Sequence, residues 1–461
     1  MKLIYNVKDK PKFGQVLVFA FQQLLAIMAA TIAVPAIIGN GMSQTAALFG
    51  AGVGTLVYLL FTKFRSPVFL GSSFAFLGSM SAAFAGAGSV VALGYLGLII
   101  GAAFAGLVYV VIALVVKFAG TKWIDKIMPA VVIGPTVAII GLSLAGNAVG
   151  DVLGTSGAVA NGTSTYVCII CGLVTLAVTM LCSVFGKKML KMIPFIIGIL
   201  SGYAVATIFT LIGNATGNDA LKVINFGLFS NIQWLPDFTF LTAFDGFKNL
   251  SGSFIATVAV AYIPVAFVVF AEHIADHKNL SSIIEKDLTK DPGLHRTLLG
   301  DGVGSIAGAF FGGCPNTTYG ESVGCVAISG NASVVTILTT AIMAIVVSFI
   351  GPFATFLATI PACVMGGVCI ALYGFIAVSG LKMIQKVDLS DNKNLFVVSI
   401  ILIAGVGGMV VSFGKVTITS VACALILGIL TNLMLNSKKK AADTTETTET
   451  TETVEVTEES K

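Results

Sequence analysis

Two acidic side chains stand where acid is costly. Glu272 closes one apolar run, and Glu321 lies inside another, at the end of Cys314-Pro-Asn-Thr-Thr-Tyr-Gly-Glu321. A carboxylate in hydrocarbon costs about 2.5 kcal/mol or more, so each is expected to face a protein-lined or watery cavity and to serve a site there. Glu272 and Asp276 are four residues apart and share one face of a helix, while His273 and His277 share another. Two carboxylates on one low-dielectric face resist being ionised together, and a group that gains and loses a proton near neutral pH is what proton-coupled transport requires. The competing reading has Asp276, His273 and His277 capping the end of the span, and for His277 the cap is the expected role. Asp301, in Leu299-Gly-Asp-Gly-Val-Gly304, reads as a helix-start residue or an inter-helix acceptor with an indirect part in transport. Gln22 and Gln23 lie in the first apolar run, where amides need partners. They are expected to bond across helices and, in doing so, to brace the site.

The elements that must position these groups are membrane spans. The chain of 461 residues is 56% hydrophobic and only 10% charged, which describes a polytopic membrane protein and not a soluble globule. Its basic start leads into an apolar run too long for a signal peptide, so the first run is expected to be retained as a span. All eight cysteines lie in or beside apolar runs, and the Cys168/Cys171 pair has no second pair or nearby His to make a zinc site. They are expected to be small packing residues, and no metal or other cofactor is expected. An enzyme is not expected either: no HExxH or GxSxG context occurs, and Glu272 and His273 are adjacent and so cannot share a helical face. A channel would need a continuous polar pore, whereas the few intramembrane charges gather near one depth.

Apolar runs long enough for a bilayer number fourteen, giving an all-α polytopic fold. With the N-terminus inside, all of the 26 Lys and Arg residues except Lys222, Lys248 and Lys415 fall on the cytoplasmic side. That asymmetry argues for both termini in the cytoplasm and makes the basic residues topology signals, with no nucleic-acid partner expected. Met128-Pro-Ala-Val-Val-Ile-Gly134 echoes Ile360-Pro-Ala-Cys-Val-Met-Gly366, and Pro67-Val-Phe-Leu-Gly-Ser-Ser-Phe74 echoes Pro315-Asn-Thr-Thr-Tyr-Gly-Glu-Ser322, each pair seven runs apart. An odd offset reverses the sense of crossing, so the expected architecture is a 7+7 inverted repeat. The third and tenth runs, at roughly 67–84 and 315–330, open with Pro and β-prone or polar residues before turning helical. Extended backbone at membrane depth must be paired or line a cavity. These two segments are therefore expected to pair as short antiparallel β-strands, with the half-helices that follow aiming their N-termini at a ligand. Ser72, Ser73 and Phe74, and Tyr319, Gly320 and Glu321, would then face the site. The Thr/Glu repeats after Lys440 are expected to form a disordered acidic tail over 437–461.

Six blocks carry a resemblance: Gln22-Gln-Leu-Leu-Ala-Ile-Met-Ala-Ala30, Leu70-Gly-Ser-Ser-Phe-Ala-Phe76, Gly120-Thr-Lys-Trp-Ile-Asp125, Ala271-Glu-His273, Asp291-Pro-Gly-Leu-His-Arg296 and Pro315-Asn-Thr-Thr-Tyr-Gly-Glu321. Together they resemble the nucleobase-ascorbate transporters, also called nucleobase:cation symporters, and among them the bacterial uracil permeases. The resemblance implies a cytoplasmic N-terminus (1–13), a core domain from 14–118 and 251–351, and a gate domain from 119–250 and 352–436 that also forms a homodimer. It implies uptake of uracil with a proton across the inner membrane by alternating access, with xanthine, urate or another purine as the alternative substrate and Na⁺ as the alternative ion. Glu272 and Glu321 would bind uracil, Phe74 and Gly320 would offer backbone amides to its carbonyls, and Tyr319 and Ala30 would shape the pocket. The base's ring N–H donors and carbonyl acceptors are the complement of such groups. Three departures bear on coupling and substrate choice: Gln23 where Gln-His is usual, Asp276 where uracil permeases have a second histidine, and Ser322 in place of Asn.

Overall fold

A computed structural model describes residues 3–120, 123, 129–155, 162–187, 189–230, 232–413 and 416–452. Residues 121, 122 and 124–128, which belong to two of the motifs above, and the tail beyond 452 lie outside the described residues. The chain begins with α1 (Phe13–Ile38) and α2 (Gln44–Phe61), then a short strand β1 (Leu70–Ser72) that leads through a 3-10 turn into α3 (Leu77–Ala87). Next come α4 (Val91–Ala119), α5 (Ala130–Ser143), α6 (Ala145–Val152), α7 (Thr165–Phe185) and α8 (Pro194–Thr216). The second half opens with α9 (Gly252–Ile284), α10 (Leu294–Gly312), strand β2 (Asn316–Thr318) and α11 (Gly320–Ser329). It closes with α12 (Val334–Val347), α13 (Gly351–Thr359), α14 (Ala362–Ile384), α15 (Asn392–Val406), a hairpin of β3 (Val411–Phe413) and β4 (Val416–Ile418), and α16 (Ser420–Glu452).

Eight helices among the described residues are long and apolar enough to cross a membrane. The fold is therefore mostly helical and polytopic, while the count of fourteen spans is not reached by unbroken helices. Between α12 and α13 the chain bends by 84°, at the end of the eleventh run, and α13 fills the stretch before the twelfth. Pro352 enters at the first turn of α13, where its missing N–H costs nothing, so the chain restarts there in a new direction. The eighth run, expected to end at 276, continues as helix to Ile284. Helix also runs through Lys440 to Glu452, so the first part of the tail expected to lack structure is helical. Extending an existing helix needs no new nucleus, and Ala441 and Ala442 favour it.

Two groups of helices pack as layers on either side of the site. In one, α10 lies against α2 and α4, α9 against α4 and α3, and α12 against α1 and α2; in the other, α14 lies against α5, α6 and α7. The α2–α10 contact is backbone against backbone. Gly50 and Gly54 face Gly308 and Gly304, and a Cβ added at Gly50 would clash with the Gly308 carbonyl oxygen. Small residues four apart on both helices permit this approach. It leaves α10 deep in the protein, ending at Gly313, whose φ of +74° stops the helix and turns the chain into β2.

The expected ribbon is present. β1 and β2 pair antiparallel, with Leu70 opposite Thr318, Gly71 opposite Thr317 and Ser72 opposite Asn316. Side chains satisfy the backbone groups that a two-stranded ribbon leaves unpaired, as backbone buried at membrane depth requires. The Leu70 N–H donates to Thr55 Oγ1 at 2.9 Å, and the Phe69 N–H donates to Ser322 Oγ at 3.0 Å. Asn316 Nδ2 reaches back to the Gly50 carbonyl at 2.9 Å, tying the ribbon to the glycine contact.

Candidate functional site

The two half-helices start at the ends of the ribbon. The turn before α3 presents Phe74 and Ala75, and α11 presents Gly320 and Glu321, all at one cavity of about 390 Å³. Small-molecule sites typically enclose about 300–1,000 Å³. The positive ends of both helix dipoles thus meet in one place. From α9, Glu272 and Asp276 enter the same cavity from one face, as their four-residue spacing requires. Tyr319, Thr317 and Thr318 complete the ribbon side. Glu272 and Glu321, 49 residues apart by the numbering, therefore share a cavity, and Asp276 joins them.

Among the lining residues there are three acidic side chains and no basic one. Charge in such a place is balanced by a proton, a small cation or the N–H donors of a ligand. Asp276 Oδ2 accepts from Thr318 Oγ1 at 3.0 Å, fixing one carboxyl against the ribbon. Tyr319 folds away from the cavity at its tip, donating its hydroxyl to the Ser72 carbonyl at 2.8 Å and so holding strand to strand. The opposite wall is apolar and comes from the second layer: Val137 and Ile140 of α5, Phe195 of α8, and Leu372, Phe375 and Ile376 of α14. Phe74 meets Tyr373 edge to face across the gap, with ring centroids 5.9 Å apart. A flat ring with polar edges would find donors and acceptors on the ribbon side and apolar surface on the other.

Not every expected residue reaches the cavity. Ala30 is buried in α1 but is not among the lining residues, and Gln22 is half-buried away from it. Gln23, one residue on, points inward and donates its Nε2 to Ser322 Oγ at 2.6 Å. Since Ser322 also accepts from the Phe69 N–H, the two departures at positions 23 and 322 form one brace behind the ribbon. His273 turns to the far side of α9, where Nδ1 lies 2.6 Å from Asp301 Oδ2 and Nε2 lies 3.0 Å from Thr297 Oγ1. Asp301 is accordingly an inter-helix partner in mid-helix, not a helix start. His277 is fully buried and two turns short of the helix end, so it does not cap the span. Because α9 outruns its apolar stretch, the position that looked terminal is interior.

Thr318 was absent from the expected site. Like Thr317 it lines the cavity, and its bond to Asp276 depends on how the ribbon is placed against α9, which a threonine in a short strand does not reveal. On α14, the residues 372, 375, 376, 379 and 383 follow helical spacing and read in the sequence as an ordinary packing face; Ser379 is the polar exception.

A sequence model of the permease family matches residues 14–413. The chain is 38% identical over 445 residues to the uracil permease of Bacillus caldolyticus, which covers 96% of this chain and 97% of that protein. It is 36% identical over 434 residues to the uracil permease of Escherichia coli strain K12, covering 93% of each. Among solved structures, the transmembrane domain of the cyanobacterial bicarbonate transporter BicA matches with a TM-score of 0.60 at 17% identity, covering 93% of this chain and 98% of that one. SLC26A9 matches with a TM-score of 0.62 at 12% identity over 93% of this chain and 66% of that one. At those identities the likeness is one of fold. With a family match across most of the chain and relatives aligned nearly end to end, the protein belongs to the permease family.

Proposed function

We propose that the protein takes up uracil together with a proton across the cytoplasmic membrane. The observation that carries this reading is the meeting of Glu272, Asp276 and Glu321 with two half-helix N-termini in one cavity. Carboxylates accept the ring N–H groups of uracil, and the backbone amides at Phe74 and Gly320 suit its carbonyls. The names of full-length relatives, uracil permeases, support the same substrate. The layer containing α1–α4 and α9–α12 acts as the substrate-holding core. The layer built on α5–α8 and α14–α16 acts as the gate, and a homodimer forms through it. Both termini lie in the cytoplasm, the side that the excess of Lys and Arg marks. The cavity carries more acid than a neutral base can satisfy, which supports coupling to a cation, and in this reading the cation is a proton.

Glu321→Gln tests the binding role. The amide sets an N–H₂ donor against a ligand N–H, so uracil affinity of the detergent-purified protein should fall at least about tenfold, about 1.4 kcal/mol. Unchanged binding by calorimetry would refute the assignment. A second reading, a purine-base symporter, is favoured by Asp276 in the cavity where uracil permeases have a histidine. Competition of labelled uracil uptake by a panel of bases separates the two. Coupling is tested in cells: a protonophore should stop uracil accumulation, and continued accumulation against a gradient would exclude the proton.

A further inference from the structure

Behind α9, on the side away from the cavity, buried polar side chains form a second line. His277 Nδ1 lies 2.8 Å from the His273 carbonyl, which can only accept, so this nitrogen carries its hydrogen. His277 Nε2 lies 2.7 Å from the Tyr58 hydroxyl, which in turn lies 2.7 Å from Ser66 Oγ. All three residues are buried, and Ser66 is one residue from Arg65, whose exposed guanidinium pairs with Asp291 at 2.7 Å. At the other end the His273 and His277 rings stack with centroids 4.0 Å apart.

The donor count along this line is informative. Thr297 gives its hydroxyl hydrogen to the Leu294 carbonyl at 3.0 Å, so at its contact with His273 Nε2 it accepts. The 2.6 Å contact between His273 Nδ1 and Asp301 Oδ2 must then contain one proton, held by the pair. The Tyr58 contacts fit both states of His277. With a neutral ring, the hydroxyls turn so that Ser66 donates to Tyr58 and Tyr58 to Nε2; with the imidazolium, Nε2 donates to Tyr58 and Tyr58 to Ser66, the direction the Tyr58–Ser66 bond takes in this structure. One proton entering at Ser66 converts the first pattern into the second, and each hydroxyl ends with one hydrogen as it began.

We propose that Ser66, Tyr58 and His277 are the proton route of this protein, linking the surface beside Arg65 to the His273–Asp301 pair. This rests on the proton-coupled reading above. Transfer between the stacked rings requires one of them to turn about its Cβ–Cγ bond, and mutual repulsion lets the two rings share only one positive charge. The ionisable groups that face them are Asp301 on α10, Tyr58 on α2 and Tyr109 on α4, whose ring lies 6.3 Å from that of His273, with Glu272 and Asp276 along α9 and Glu321 across the cavity. The pair is also linked to the cavity lining. The Thr318 backbone lies beside the Asp301 carboxyl, and the Thr318 hydroxyl holds Asp276 in the cavity.

The test uses the full chain in proteoliposomes, with Tyr58→Phe, which keeps the ring, and His277→Gln, which keeps a donor and an acceptor but takes no proton. Exchange of labelled for unlabelled uracil needs no net proton movement, whereas net uptake driven by a pH gradient does. Each variant should keep exchange within about twofold of wild type and lose about tenfold or more of net uptake, with a flattened pH profile. A purely structural role would lower the melting temperature and depress both rates together, and that result overturns the route. So does wild-type net uptake in both variants. If Tyr58→Phe does not fold, His277→Gln and Ser66→Ala carry the test. A wild-type protein whose uracil uptake ignores the pH gradient would instead overturn the symport reading itself.

Discussion

The hydroxyl of Thr318 ties a cavity carboxyl to the ribbon. It donates to Asp276 Oδ2 at 3.0 Å, a bond to a group that is costly to leave unpaired in an apolar setting. Replacing Thr318 by Val keeps the shape and the strand preference but removes the donor. The expected loss is about 1–3 kcal/mol of stability, with weaker uracil binding because Asp276 is no longer held in place. Thermal unfolding with and without uracil measures both, and a variant as stable and as tightly binding as wild type would remove Thr318 from the site. Glu272 and Glu321 were legible from sequence because the cost of an acid in lipid does not depend on the rest of the fold. Thr318 was not, since a threonine in a strand is unremarkable until its register is known.

At the scale of elements, the ribbon depends on how closely α2 and α10 approach. That contact has no side chain to yield: the atom nearest a new Cβ at Gly50 is the backbone oxygen of Gly308. Gly50→Ala should therefore push the helices apart and cost about 1–3 kcal/mol, as overpacking does. The shift reaches the site through Asn316, whose Nδ2 bonds the Gly50 carbonyl from within β2. Gly146, with open space around the same position, is the control: Gly146→Ala should leave the melting temperature nearly unchanged. Equal melting temperatures for the two variants would contradict the close contact. The strands and half-helices could be anticipated because Pro67, Pro315 and the β-prone residues after them suit no unbroken helix. The short helix α13 and the 84° turn into it were not anticipated, because Gly351–Thr359 lies between two apolar runs and is too short to read as a span.

Across the whole molecule, the two halves of the first layer are tied at the surface by one acid. Asp291, in the loop between α9 and α10, accepts from Lys286 and from Arg65, both at 2.7 Å, and its side chain is 42% exposed. Lys286 first and Arg65 second hold its carboxyl down at about 2. A depressed carboxyl stabilises the fold above its unfolded value, about 3.9, and the contribution is lost as pH falls from there through about 2. Asp291→Asn should thus lower the melting temperature slightly at neutral pH, by less than about 1 kcal/mol because the pairs are exposed. The difference should be constant above about pH 5 and shrink to a small remainder near pH 2, below which both proteins carry a neutral side chain. A gap that is undiminished at pH 2 would mean that the carboxylate charge is not what matters.

The amino-acid sequence by itself determined that this chain lives in a membrane, that its segments at 67–84 and 315–330 break the helical pattern, and that Glu272 and Glu321 face a cavity. Those conclusions follow from costs a residue carries wherever it is placed: charge in lipid, proline in a helix, apolar length against bilayer thickness. Tertiary structure alone decided which neighbours meet across the fold. It put Asp276 into the cavity and His277 out of it, joined Gln23 to Ser322, set His273 on Asp301, and made an ordinary face of α14 the far wall. Each of those outcomes depends on helix rotation and strand register, which local propensity leaves open and long-range packing fixes.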